Sequence, residues 1–436
     1  MKIIKITFLF TLLISLNINS QSTLDSYSFG EGISFTADNG SKIKLSGYAQ
    51  PHVEIKNYND LEENSSSTRF RLRRLRLRFD GQAANPKFAY RFQVDLSGSS
   101  ETGEATGDFL LDAYVSYDIT NRIKVIFGQR STYTDNRELF MNSNSLQLVE
   151  RSRLTSAFSS IREFGLFLSG NFRLNGKGSY LRPYFVLTNG DGINNFDKDL
   201  GGLKIGGRID FLPFGLFTNK GQFRQIDVMR ELTPKFVIGV NYSHNSGMSS
   251  RRGRNSGSIL YLNEFGQQSL PDYTKYGIDF LFKYNGFSAL GEYIKSSSTV
   301  PINIIERVRN DGSTSSSFLV NGVQDIESYV NGRMMLGEAY NIQMGYLFKS
   351  GITIDSRYTH LKADDNSFLN NATFYNRPNY YTLGIGKLLG RNYGAKIQGS
   401  ITLVDGSLGV NHDNDTATDP LFKDELLFRL ITTISF

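Results

Sequence analysis

From about residue 40 to its last residue, the chain alternates apolar and polar side chains in runs of roughly ten. Phe88, Tyr90, Phe92, Val94 and Leu96 share one face of an extended segment, with Lys87, Arg91, Gln93 and Asp95 on the other. Phe109, Leu111, Ala113, Val115 and Tyr117 stand in the same way against Asp108, Asp112, Ser116 and Asp118. The pattern returns in Phe164-Leu166-Leu168, Leu203-Ile205-Ile209-Phe211, Phe236-Ile238-Val240-Tyr242 and Ile278-Phe280-Phe282-Tyr284. A period of two means a strand with one apolar face and one polar face. Sixteen such segments are predicted, at 43–56, 69–79, 87–97, 108–118, 122–130, 163–173, 179–188, 203–212, 235–243, 273–284, 286–295, 337–348, 351–361, 379–388, 394–404 and 424–436. No amphipathic helix stands out.

The connections alternate between short and long. Short ones fall at 80–86, 119–121, 174–178, 285, 349–350 and 389–393. Long ones fall at 57–68, 98–107, 131–162, 189–202, 244–272, 296–336, 362–379 and 405–423. This is the rhythm of a transmembrane antiparallel β-barrel, with short periplasmic turns and long extracellular loops. One short turn breaks it: 213–234 is long and alternates weakly near 223–230, so an elaborated turn or an eighteen-strand barrel are both open. The last strand places Phe428, Leu430, Thr432, Ile434 and Phe436 on alternate positions and ends on phenylalanine, the signature by which bacterial outer-membrane barrels are passed to the assembly machinery. Stacked soluble sandwiches would need linkers that the chain lacks. A closed barrel pairs every backbone group and turns its apolar face to lipid, and at sixteen strands its interior is wide enough for water.

Length and composition sharpen this picture. At 436 residues a soluble chain would carry two or three domains, yet no boundary is visible. Aromatic residues reach 13%, with 33 Phe and 23 Tyr, which suits interfacial girdles. The absence of Cys removes disulfide scaffolds, zinc thiolates and thiol catalysis. Residues 1–20 read as a cleaved secretory signal, with Lys2 and Lys5 ahead of an apolar run from Ile6 to Leu16 that is too short to span a bilayer. Residues 21–42 are then a periplasmic N-terminal segment, and 43–436 the barrel, with 131–162 long enough to fold inward. Losing Lys2 and Lys5 lowers the formal charge from +6 to +4.

The second strand reads RFRLRRLRLRF. Phe70 and Leu72 alternate with Arg69, Arg71 and Arg73; the phase then slips, and Leu75, Leu77 and Phe79 alternate with Arg74, Arg76 and Arg78. A β-bulge at Arg73-Arg74 would absorb the slip. Arginine on the lipid face at mid-depth costs about 2–4 kcal/mol, so the six guanidiniums belong in the lumen. Counting lumen positions of the first three strands gives Lys44, Lys56, the six arginines, Lys87 and Arg91 against Glu54 and Asp95, an excess of eight. Such a wall would attract small anions; a basic wall facing an acidic constriction is the alternative. The counterweight, if present, should come from the 131–162 loop and its end, through Asp135, Arg137, Glu138, Glu150, Arg151, Arg153, Arg162 and Glu163.

The stretches RLRRLRLRFDGQAANPKFAYRFQVDLSG, LQLVERS followed by IREFG, and LTNGDGINNFDKDL followed by KIGGRIDFLPFG resemble the phosphate-selective porin O and P family. The resemblance covers the first half; the second half shares only strand rhythm and the terminal Phe. It implies a homotrimeric sixteen-stranded channel with arginines along the route and lysines at its narrowest point. Arg69 to Arg78 and the segment 146–152 carry over by position; no particular lysine does.

Other groupings point to less. Asp191, Asn194, Asn195, Asp197 and Asp199 crowd one loop without a calcium-loop spacing, and read as a solvated polar loop. The histidines His52, His244, His360 and His412 form no triad, so an enzyme is the weakest reading. Arg251, Arg252 and Arg254 are placed to meet lipopolysaccharide phosphates at the surface or to be hydrated. No metal, cofactor or nucleic-acid partner is expected. The reading is thus an outer-membrane porin passing small anionic solutes, phosphate or polyphosphate among them, with an adhesive or complex-forming barrel as the alternative.

Overall fold

The computed structural model describes residues 23–59, 64–98, 109–174, 178–196, 200–255, 257–370, 377–390, 392–405, 411–413, 416–418 and 424–436. The segment 1–20, expected as a secretory signal, lies outside the described residues, as do Asp197 and Asp199.

The main sheet has nineteen strands, of which sixteen build an antiparallel barrel, two form an N-terminal hairpin, and one short piece, Phe172–Leu174, prolongs a barrel strand. The first eight barrel strands are Lys42–Asn59, Asn64–Gln82, Phe88–Asp95, Leu110–Asp118, Ile123–Ser131, Arg162–Gly170, Ser179–Thr188 and Lys204–Leu212. The remaining eight are Lys235–Asn245, Asp272–Tyr284, Phe287–Thr299, Gly337–Leu347, Ile352–Ala363, Asn379–Leu388, Ala395–Asp405 and Glu425–Ser435. Each pairs with its neighbour in sequence, and Glu425–Ser435 closes on Lys42–Asn59 from Glu425 opposite Tyr58 to Ser435 opposite Tyr48. No helix is long and apolar enough to cross a membrane among the described residues.

The apolar side of each strand faces outward. Phe70 is 78% exposed, and Phe92, Phe127, Val240, Ile354, Leu383 and Phe428 are exposed in the same way. Their polar neighbours are buried inside, as in Lys235–Asn245, where Asn241, Ser243 and Asn245 are covered. Local chemistry fixes the turns: Asn285 and Gly286 both have positive φ, 47° and 92°, the primed two-residue turn that Asn-Gly favours.

Sixteen is therefore the strand count. Residues 213–234 form an elaborated turn with a short 3-10 helix, Thr218–Phe223, and carry no strand. Two details depart from the sequence pattern. The pairing of Phe88–Asp95 with Leu110–Asp118 slips between Gln93 and Val94, so Leu111 is an extra residue and is buried instead of facing lipid. Residues 23–28 and 32–36, within the segment expected as a periplasmic N-terminal one, form the N-terminal hairpin, whose second strand pairs Ile33 with Leu45 and Phe35 with Ile43. The hairpin continues the wall from where Phe436 ends it, beside Gly47.

Candidate functional site

On the arginine strand the register against Lys42–Asn59 slips at one place: Gln50 faces Arg74 and Pro51 faces Leu72, which leaves Arg73 as the extra residue. Proline has no N–H to give the ladder, so a bulge accommodates Pro51 without a lost bond. The slip turns both Arg73 and Arg74 into the barrel, where each is almost fully buried. Arg69 lies opposite Glu54 in the register and is exposed.

The arginines do not stand free in the lumen. Glu150 takes Arg73 Nε at 2.5 Å and Arg74 Nη2 at 3.0 Å. Asp80 takes Arg78 Nε at 2.7 Å and Arg91 Nε at 2.6 Å. Glu54 takes Arg429 Nε at 2.6 Å and lies 3.9 Å from Arg71. Arg76 pairs with Asp95 at 2.9 Å. The expected excess of eight is corrected accordingly: Asp80 lies within the strand Asn64–Gln82 instead of in the turn after it, and Glu150 arrives from a loop remote in sequence. Three carboxylates each hold two guanidiniums, so each group keeps one surplus positive charge.

Residues 132–161 fill much of the interior, because they meet inward-facing residues from strands all round the barrel. Arg137 bonds Asp210 and Asp279 at 2.7 Å each, and Arg208 binds the same two carboxylates. Asp135 holds Lys275 and accepts from the backbone of Ser160 and Ile161. Arg162 pairs with Asp112 at 2.8 Å, and Glu163 with Lys204 at 2.7 Å. Lys396 Nζ donates to the Leu146 carbonyl at 2.8 Å. Helix Arg153–Phe158 starts at Ser152, whose hydroxyl accepts from Thr155 N. Glu138 then accepts from Ser152 N, Ser152 Oγ and Thr155 Oγ1 at 2.6–2.7 Å. Burial would raise the carboxyl of Glu138, but Arg357, Arg151 and these hydroxyl bonds outweigh it and hold its pKa low.

Of the expected loop residues, Arg137 and Glu150 anchor the loop to the wall, whereas Arg162 and Glu163 already lie on the strand Arg162–Gly170 and pair with other strands. Arg151 closes the loop on itself, donating to the carbonyls of Glu138 and Met141. Arg153 is half-buried, with Nη1 3.5 Å from Ser156 Oγ. Two further segments join the loop inside. Gln225 of the 213–234 turn accepts from Gln147 N at 2.8 Å and donates to Glu138 Oε1 at 3.1 Å, and Lys283 holds the carbonyls of Gly221 and Ile226. From the next long loop, Arg252 donates to the Ala157 carbonyl, and Arg254 to those of Ser159 and Ser156. These two arginines are buried, a correction to their expected place at the surface. Asp191 likewise belongs to the packing, accepting from Asn195 and Ser249.

The family model of the phosphate-selective porin O and P family matches residues 45–183, which include the arginine strand and the inner loop. The chain is an outer-membrane β-barrel, and its residues 45–183 match the porin family. No curated protein matches the chain. Among solved structures, the chain is similar to OmpF of Salmonella typhi in complex with daunomycin, at 11% identity and a TM-score of 0.50 over 92% of this chain and 99% of that one. It is also similar to the outer-membrane channel DcaP of Acinetobacter baumannii, at 13% identity and a TM-score of 0.49 over 92% and 99%. A third is the anion-selective porin of Comamonas acidovorans, at 12% identity and a TM-score of 0.48 over 91% and 100%. At such identities the likeness concerns the fold.

Sequence reasoning missed the inward lysines Lys204, Lys275, Lys283 and Lys396, all nearly fully buried. Their alternation with outward Ile205, Tyr276, Phe282 and Ile397 was available as a signal.

Proposed function

We propose that this porin conducts small anions across the outer membrane by passive diffusion, with phosphate and polyphosphate as the first solutes to test. The observation that carries the reading is the stoichiometry of the ladder, two guanidiniums to each of Glu54, Asp80 and Glu150. A surplus charge in a narrow, low-dielectric passage concentrates counter-ions and speeds their entry. On the same reading the protomers form a homotrimer, lipopolysaccharide surrounds the long loops, and Phe436 serves the assembly machinery.

The test is the reversal potential in planar bilayers under a salt gradient, repeated with phosphate competing against chloride. Replacing Arg71, Arg74 and Arg76 by Glu abolishes or reverses the anion preference; an unchanged potential removes the ladder from the mechanism. A second reading, adhesion or complex formation, is favoured by the core that the outer loops build for themselves from Met248, Tyr261, Phe318, Tyr329 and Met334. Silent insertion without conductance would support it.

A further inference from the structure

The ladder arginines are all engaged in ion pairs except exposed Arg69, yet two other inward guanidiniums have no ion pair among the described residues. Arg130 donates through Nε to the Ser131 carbonyl at 3.2 Å, and its guanidinium lies 4.3 Å from the centre of the Tyr133 ring. Tyr114 and Phe167 stand 5.5 Å away. Asp112, the carboxylate that acts on Arg130, is bound by Arg162. Arg182 lies 5.2 Å from the Phe223 ring and 5.7 Å from Tyr184. Its Nε is buried without a hydrogen-bond partner among the described residues, and so is the hydroxyl of Tyr184, a residue only 6% exposed. Tyr133 and Tyr184 lie between the two cations with their ring centres 4.2 Å apart and their planes tilted by 32°.

Arg130 is one residue from the long-loop end of Ile123–Ser131, whereas Arg182 is near the short-turn end of Ser179–Thr188. The two cations therefore follow one another along the barrel axis, separated by a pair of rings. A guanidinium lying flat on a ring keeps its edge N–H groups for acceptor oxygens, while its plane accepts a second flat partner. Orphaned buried donors mark a place where an acceptor is wanted. Tyr114 supplies a further half-buried face, 5.6 Å from the guanidinium of Arg91.

We propose that Arg130, Arg182 and the Tyr133–Tyr184 pair form a binding track that favours anions carrying a planar ring, such as aryl or heteroaryl phosphates and carboxylates. This rests on the anion-channel reading above and names its preferred solute class. The acid group takes the guanidinium edges and the free Tyr184 hydroxyl, and the ring joins the stack. A compact anion engages only the edges.

The experiment compares phenyl phosphate with methyl phosphate as blockers of chloride current through the intact porin in planar bilayers. Phenyl phosphate should block at a roughly tenfold lower concentration, the scale of one added cation–π contact. Arg130→Gln with Arg182→Gln should weaken both blockers, and Tyr114→Leu should narrow the gap between them. Unit conductance of each variant reports that it has folded and inserted, and half-buried Tyr114 gives a variant that spares the packed Tyr133–Tyr184 pair. Equal block by the two esters, or a gap that survives the double arginine variant, overturns the proposal while leaving an anion channel intact. Cation-selective current in the wild-type porin overturns the channel reading itself.

Discussion

Glu150→Gln isolates what the inner loop contributes to selectivity. The substitution keeps size and hydrogen-bonding shape but removes the one charge shared by Arg73 and Arg74. The local surplus then rises by one unit. For an anion passing about 10 Å away, that unit is worth roughly 1.7 kcal/mol at an effective dielectric constant of 20 and about 0.4 kcal/mol in bulk water. The corresponding change in local anion concentration lies between about twofold and fifteenfold. The assay is the anion-to-cation permeability ratio from reversal potentials, at low and at high ionic strength. The ratio should rise within that range at low salt and fall back towards wild type in molar salt, where screening is about 3 Å. Breaking a buried pair by deleting one partner costs about 3–5 kcal/mol, so open-channel noise should grow as the loop loosens. A lower anion preference, or no change at low salt, would refute the claim that Glu150 offsets the ladder.

Acidification gives a second check. Burial raises the carboxyl of Glu150, yet Arg73 and Arg74 outweigh that effect and hold its pKa well below the ordinary 4.5. A group depressed in the folded state contributes stability that is complete above its unfolded pKa and is lost only as pH falls through the folded one. The difference in permeability ratio between wild type and Glu150→Gln should therefore be flat from pH 7 to about 5; a difference that fades in that window would mean that the pair is not formed. Arg254→Ala removes the donor to the carbonyls of Ser159 and Ser156 at the end of the loop helix. Unpaired carbonyls cost about 1–3 kcal/mol, and current fluctuations should increase with little change in permeability ratio. Gly165→Val should block barrel formation, because a Cβ there would sit 2.3 Å from the Leu187 carbonyl oxygen and 2.6 Å from Thr188 Cα, both backbone. Heat-modifiable gel mobility reads this out, and normal folded barrel would contradict the geometry.

The strands were legible because lipid imposes a simple rule: every second residue of a spanning strand must be apolar, whatever its neighbours do. Even the bulge at Arg73 could be seen, since a phase slip in RLRRL leaves a mark on that pattern. Leu111 was misplaced because its slip lies where apolar Leu110 and Leu111 adjoin, and the pattern does not show which one turns inward. The lumen was harder to read. Glu150 is 76 residues from Arg74 in sequence, and no periodicity brings them together. Arg252 and Arg254 look like surface residues because a loop's sequence does not say whether it lies over solvent or over the loop helix's carbonyls. Residue type gave the composition of the lumen wall, but not which parts of that wall a loop would cover.

That division has a physical origin. A soluble protein docks a loop by burying apolar surface, but here the strand positions that face the interior are largely polar, since the apolar ones are needed for lipid. The inner loop is consequently fixed in large part by Arg137 on Asp210 and Asp279, by Asp135 on Lys275 and by Glu150 on the ladder, beside local apolar packing of Phe158 on Ile294 and Leu361, of Met141 on Val237 and Leu281, and of Tyr133 on Phe167. Buried ion pairs add little net stability, because desolvation consumes most of their attraction, yet removing one member is costly. Such contacts fix the loop's position more than they strengthen the barrel. They also tie selectivity to loop position: each carboxylate that anchors the loop or an adjoining strand withdraws charge from the passage. Arg130 and Arg182, held by rings instead of carboxylates, keep their full charge for the solute. A channel built in this way can change its solute preference by exchanging an aromatic support for an acidic one, with the sixteen strands left as they are.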